Sequence, residues 1–204
     1  MVATSTAPIL LESGDRLTRV EFHRRYCARP DINRAELVEG VVYVGSPVRV
    51  LHAEQHGWIV GWLVAHIAKN PGPRLLDNGT VILDDDNEVQ PDAALWREEP
   101  GGPHLTQDNY IEGGPQLVVE IAASSASYDL HDKMRAYRRN RVREYVVWRV
   151  LDQAIDWFRL SGGEYARVDP DRTGIIESEA FPGLRLDVEK MLAGNLAGVL
   201  AALR

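Results

Sequence analysis

A glutamate set inside an apolar run is the first residue of chemical interest. Glu120 interrupts Leu117-Val118-Val119 and Ile121. Burying an unpaired carboxylate is very costly, so within a covered strand this side chain needs a partner or a cation. Otherwise the strand ends there and Glu120 faces water. Asp92 follows Pro91 and opens the run Ala93-Ala94-Leu95-Trp96. It is either an acid at the lip of a strand, serving a site between strands, or a turn residue after proline. Lys133 lies four residues after Asp129, so the two share a helical face. Taken alone, that spacing describes a surface ion pair of small energetic consequence. Together the three residues say more. Two carboxylates on neighbouring strands bind Mg²⁺, a hard cation that takes oxygen ligands. A lysine beside them can hold an attacking water and stabilise charge on phosphoryl oxygens. Two acids and a lysine are the minimum for metal-assisted phosphodiester hydrolysis.

Other chemistries find less support. His52 and His56 lie four residues apart and share a helical face. Glu54 is misplaced for a metalloprotease motif, which needs Glu directly after the first His, and no third zinc ligand is identifiable. No serine sits in a G-x-S-x-G elbow, and Gly79, Gly101 and Gly102 form no phosphate-cradling motif. Cys27, the one cysteine, is read as a packing residue beside Tyr26 near a helix end; it permits no disulfide framework or cysteine-based zinc site within one chain.

The elements that must position these residues follow from pattern. Thr18 and Glu21 have the spacing of a capping box for a short helix through Phe22 and Tyr26 that stops before Pro30. Ala35 to Val44 reads as a strand with a turn or bulge at Gly40, broken by Ser46-Pro47. Trp58, Ile59, Trp62, Leu63 and Ile67 fall at helical spacing within a long core helix from Val50 to Lys69, ended by Asn70-Pro71-Gly72. Two strands are expected at Leu75–Leu83 and Val89–Trp96, turning at Asp84 to Asn87, followed by a Gly/Pro-rich loop. Gln116 to Ile121 barely alternates, which suggests a strand covered on both faces. Ser124 to Ser127 offers N-caps for a helix over Asp129–Asn140. A strand at Glu144–Trp148, a hairpin turning at Gly162-Gly163, a short strand near Ile176–Ala180 and a closing helix from Val188 complete an α+β order.

Composition sets limits. The chain has 204 residues, which suits one domain, here taken as residues 15–204 behind a flexible tail of residues 1–14. Apolar residues make up 45% and charged residues 26%, enough for an ordinary core. The formal charge is −7, so any contact with nucleic acid must rest on a local basic patch or a metal. Lys133, Arg135, Arg138, Arg139, Arg141 and Arg143 offer such a patch, or else a solvated face balanced by Asp129, Asp132 and Glu144. No segment has the apolar length of a membrane span, and the first residues lack a secretion-signal pattern. A reducing cytoplasm suits the single cysteine.

Several segments, in order along the chain, resemble the Uma-two family of restriction-endonuclease-like proteins, part of the PD-(D/E)XK nuclease superfamily. They are ELVEG at Glu36–Gly40, SPVRVLH at Ser46–His52, QPDAAL at Gln90–Leu95, GGPQLVVEIAASSASYDLHDK at Gly113–Lys133, VREYVVW at Val142–Trp148 and FPGLRLDV at Phe181–Val188. The resemblance implies a restriction-endonuclease-like mixed β-sheet core flanked by helices, with extra strands at both ends. It also implies that Asp92 and Glu120 ligate Mg²⁺ or Mn²⁺. The superfamily lysine usually sits two residues after the acid, where this chain has Ala122. Lys133 on the following helix is its match. Glu36 and His52 match family positions and are auxiliary candidates. Gln116, Ala123 and Asn140-Arg141-Val142 depart from the family pattern without removing the acid–acid–lysine set.

The expected function is a metal-dependent endonuclease acting on DNA. The alternatives are a nuclease-fold module that binds nucleic acid or a protein without cutting, and a dimerisation protein that pairs through an exposed hairpin near Trp157.

Overall fold

The computed structural model describes residues 10–45, 50–123 and 128–204. Helix α1 (Arg19–Cys27) starts at Thr18, whose hydroxyl accepts the Glu21 N–H at 3.4 Å. The reciprocal half of the capping box is replaced: the Glu21 carboxylate accepts from Arg24 and Arg25 instead. Strands β1 (Ala35–Val38) and β2 (Val41–Val44) form a hairpin. Glu39 and Gly40, both at positive φ (51° and 72°), make its two-residue turn, which matches strand twist. Part of the segment read as a tail packs here. Leu11 is 3% exposed among Phe22, Leu37 and Val42, and the Gly14 N–H donates to the Val42 carbonyl. Residues 1–9, the Ser46-Pro47 break and the N-caps expected at Ser124 to Ser127 lie outside the described residues.

Helix α2 (Val50–Lys69) has the expected bounds and buries Ile59, Trp62 and Leu63. The two long strands expected after it are instead four short ones. They are β3 (Arg74–Asp77), β4 (Val81–Asp84), β5 (Asn87–Val89) and β6 (Ala93–Trp96). Asp85 and Asp86 make the β4–β5 turn, as the sequence indicates. The breaks have local causes. Asn78 takes φ 50°, and at Gly79 a Cβ would lie 2.1 Å from Leu76 Cδ1, so only glycine passes so close. At the second break, Pro91 has no N–H to give to a ladder. The consequence is that β4 and β5 join one sheet and β3 and β6 another. The first runs β2-β1-β5-β4-β8-β7, using β7 (His104–Leu105) at the end of the Gly/Pro-rich loop and β8 (Ile111–Glu112) beyond it, neither expected from sequence.

The second sheet runs β12-β11-β10-β9-β6-β3. Strand β9 (Leu117–Ala122) is buried along its whole length and lies parallel to β10 (Glu144–Arg149). A parallel pair needs a crossover, and helix α3 supplies it. The first turn of α3, Asp129–Lys133, is π-helical, and the helix continues as an α-helix over Met134–Arg139. Leu117, Val119 and Ile121 pack toward α2, whereas Val118 and Ala122 pack against Ala136 and Tyr137 of α3. This is the expected strand covered on both sides.

Strands β11 (Ala154–Ser161) and β12 (Glu164–Val168) form the hairpin turning at Gly162-Gly163. Trp157 is fully buried in it, edge-on to Trp62 with ring centroids 6.2 Å apart, because its strand face covers the core. The hairpin near Trp157 is exposed at its turn and along much of β12, while Trp157 itself faces the core. Strands β13 (Ile175–Glu177) and β14 (Arg185–Asp187) pair with each other. The single closing helix expected after Val188 is two short ones, α4 (Val188–Leu192) and α5 (Leu196–Ala201), separated where Gly194 takes φ 71°. The mixed α+β architecture agrees with the sequence reading.

Candidate active site

Strand alternation gathers the acids. Successive side chains point to opposite faces, so Glu120 shares its face with Val118 and Ala122. In the antiparallel β6–β9 pair, Ala93 is opposite Val119, and Asp92 and Glu120 are the next residues along. Asp92 thus shares its face with Ala94, which belongs to the same core cluster as Val118 and Tyr137. In the neighbouring sheet Glu36 shares a face with Val38, also of that cluster. All three carboxylates face the space beneath α3, and all are nearly inaccessible: Asp92 2%, Glu120 2%, Glu36 6% exposed.

Lys133 descends from α3 into this group and is 1% exposed. Its ammonium lies 2.6 Å from Glu120 Oε1 and 2.9 Å from Glu36 Oε1. The pairing with Asp129 that helical spacing suggested is not its main attachment, because the π-turn and the depth of the acids direct the side chain inward. Tyr137 donates its hydroxyl to Glu120 Oε1 at 2.8 Å. Glu36 Oε1 also accepts the Gln90 N–H at 2.7 Å. Asp92 Oδ2 accepts the Ile121 N–H at 2.7 Å and lies 3.3 Å from His52 Nε2. His56, one turn further along α2, lies 2.9 Å from the Asp92 carbonyl and 3.0 Å from Asp77 Oδ1. The two histidines thus brace Asp92.

The structure brings together all five residues singled out from sequence: Asp92, Glu120, Lys133, Glu36 and His52. It adds His56, weighed from sequence only as a zinc ligand beside His52, and two residues that sequence reasoning missed. Tyr137 lies one helical turn after Lys133, so helical spacing was the available signal. The other is Arg34, two residues before Glu36 and therefore on its face. Its Nη1 lies 2.8 Å from Asp92 Oδ1, and its Nη2 lies 3.9 Å from both Glu36 Oε1 and Glu120 Oε2.

Electrostatics follow from this packing. Burial opposes ionisation of Asp92, but His52 and Arg34 outweigh it and hold the carboxyl well below the usual carboxylate range. Burial pushes the Glu120 carboxyl up to about 8; Lys133 opposes the shift, while Asp92, Asp129 and Glu36 add to it. Burial works against charge on Lys133, yet the surrounding carboxylates raise it, so the group is an ammonium. Burial likewise raises the Tyr137 hydroxyl, which stays a donor.

The donor set suits a hard cation, since Asp92 Oδ1 and Glu120 Oε2 both face one guanidinium. Among the described residues no three His, Cys, Asp or Glu side chains close on one point to hold an ion. Arg34 and Lys133 stand between the carboxylates. Away from the site, the basic stretch is laced with acids. Arg135 pairs with Asp132, Arg138 with Glu164, Arg139 with Glu39 and Asp84, and Arg143 with Glu99. Of the balancing acids expected from sequence, Asp132 serves in this way, while Glu144 pairs with Arg159. No helix of the described residues is long and apolar enough to cross a membrane.

Comparison with solved structures finds a protein described as "a putative nuclease belonging to DUF820 from Anabaena variabilis ATCC 29413". It superposes with a TM-score of 0.65 at 12% identity, covering 83% of this chain and 96% of that one, a likeness of fold. Comparison with curated proteins gives no match. The Uma2 family model, described as "Putative restriction endonuclease", matches residues 19–189. That span is most of the chain and holds all the residues gathered beneath α3, and the chain belongs to the Uma2 family.

Proposed function

We propose that the protein is a metal-dependent nuclease that hydrolyses phosphodiester bonds in DNA. The observation that carries this reading is the meeting of Asp92, Glu120 and Lys133, from two adjacent strands and the helix beyond them, in one buried cluster. Asp92 and Glu120 would hold Mg²⁺ or Mn²⁺. When bound, such an ion supplies a Lewis acid that polarises a phosphoryl oxygen and makes water more acidic.

The chain's own groups do the rest. Lys133 keeps its proton, so its Nζ donates hydrogen bonds and stabilises negative charge on phosphoryl oxygen rather than removing a proton from water. Glu36 anchors that ammonium and is itself fixed by the Gln90 N–H. Tyr137 orients Glu120 through Oε1, leaving Oε2 free of that hydroxyl. His52 and His56 fix the orientation of Asp92, a supporting layer of the kind that tunes ligands.

The test is cleavage of duplex and single-stranded DNA by the full chain in Mg²⁺ or Mn²⁺, with Glu120→Gln and Lys133→Met as comparisons. Each substitution is expected to reduce cleavage by at least about 100-fold, the usual scale for losing one such stabilising group. Wild-type rates in folded Lys133→Met would remove the lysine from the mechanism. A second reading, binding without cutting, draws on Lys133 being saturated by two carboxylates. DNA retained on the wild-type protein, uncut in either metal, would select it.

A further inference from the structure

Arg34 is not among the acid–acid–lysine set, yet it touches every carboxylate of the site. Its Nη1 binds Asp92 Oδ1 at 2.8 Å, its Nη2 donates to the Gln90 carbonyl, and Glu36 and Glu120 each lie 3.9 Å from Nη2. Its guanidinium therefore faces Asp92 Oδ1 at 2.8 Å and Glu120 Oε2 at 3.9 Å, one oxygen from each of the two acids proposed to hold the ion. Its accessibility also differs from that of its neighbours. The Arg34 side chain is 27% exposed, against 3% for Asp92, 2% for Glu120 and 1% for Lys133. Among these charged groups it is the one with an open path to water.

Charge gives the same assignment. Metal ligands bind deprotonated, so with a cation bound the three acids count as carboxylates, and with Lys133 alone they would carry −2, the complement of one divalent cation. With Arg34 in place the cluster carries −1, and an incoming dication would leave it at +1. Two cations cannot share the space between Asp92 and Glu120 without strong mutual repulsion at low dielectric.

We propose that Arg34 is a built-in counter-cation that fills the space between Asp92 and Glu120 and must swing out before a divalent cation can bind there. The inference rests on the metal-dependent reading above. In the metal-free protein Arg34 neutralises a buried acid cluster that would otherwise repel itself. Its length and its path to solvent let it leave without disturbing the strands. Lys133, enclosed by the acids and by the rings of Tyr128 and Tyr137 at 5.8 and 6.0 Å, stays.

Apparent affinity is reduced by the fraction of molecules that are competent to bind. If the guanidinium is in place in nine molecules of ten, removing it tightens divalent-ion binding roughly tenfold. The experiment measures Mn²⁺ binding by calorimetry to the wild-type chain, Arg34→Gln and Arg34→Lys, without DNA. Arg34→Gln is expected to bind Mn²⁺ about tenfold more tightly, and Arg34→Lys, which keeps a cation, to stay within about threefold of wild type. Equal or weaker binding by folded Arg34→Gln overturns the proposal and leaves the nuclease reading standing. No Mn²⁺ bound by any of the three overturns both. A measurement on the wild type alone guards against a variant that does not fold. The Arg34 Nε–H resonance is expected to shift during Mg²⁺ titration in step with binding. Saturation with Mg²⁺ while that resonance stays fixed also overturns the proposal.

Discussion

Replacing Lys133 by Met keeps an unbranched apolar stem and removes the terminal ammonium with its charge and donors. What remains is a group of buried carboxylates whose remaining cation is Arg34. Two ion pairs are lost, at 2.6 and 2.9 Å, from a position 1% exposed. Breaking a buried pair by deleting one partner costs about 3–5 kcal/mol, because the other charge is left without compensation. Here Glu120 can take up a proton at neutral pH, since burial has already pushed it up to about 8. The lower end, about 3 kcal/mol, is therefore expected. For a chain of this size that is a fall in Tm of roughly 6–12 °C. The assay is urea unfolding in metal-free buffer at pH 7.5, with Lys133→Met, Glu120→Gln and the double variant forming a cycle. A coupling energy above about 1 kcal/mol is expected, with the double variant recovering part of the loss. A loss below about 1 kcal/mol for Lys133→Met would refute the reasoning, because it would mean that the ammonium is hydrated and the acids are not its burden.

Two further outcomes test the frame around the site. Trp62→Ala removes a buried indole whose N–H donates to the Arg185 carbonyl at 2.9 Å, and is expected to cost about 3–5 kcal/mol in urea unfolding with little change in Mn²⁺ affinity. Burial lowers the His66 imidazole below its ordinary 6.5, with a backbone hydrogen bond at Gly183 opposing. The unfolded chain therefore takes up the proton first, so stability is expected to fall as pH drops below about 6.5, and His66→Gln is expected to flatten that part of a Tm-against-pH curve.

Much of the site was legible because its signals are local. Glu120 in an apolar run posed the question of a buried charge, and the ordered family motifs, rather than helical spacing, which pairs Lys133 with Asp129, joined it to Asp92 and Lys133. The sheet plan was less legible. Nothing in the hydropathy of Leu75–Leu83 or Val89–Trp96 marks the hand-over from one sheet to the other. That division turns on Asn78 taking a left-handed conformation and on Gly79 passing against Leu76, local backbone features that hydropathy does not register, and on which sheet each short strand then joins, which is tertiary. The same division hid Arg34. A charged residue just ahead of a short strand carries no local mark of a role, and only the apposition of the two sheets brings Arg34 to Asp92 and Glu120. The arginines of the stretch around α3 left two readings open, since charge in sequence does not reveal which carboxylates across the surface have already claimed it, and their ion pairs favour the balanced face.

The π-helical opening of α3 gives the ammonium a heading that depends on counting. A widened turn holds one more residue than an ordinary one, so losing a single position from Asp129–Lys133 would close it to an α-turn and move side chains within it by up to about a hundred degrees around the helix axis. The lysine would then sweep past the acids instead of dropping onto them. In this protein the aim of a key side chain is written in segment length as much as in residue type, so an alignment that slides a gap through this turn would pair the wrong lysine while leaving every motif letter in view.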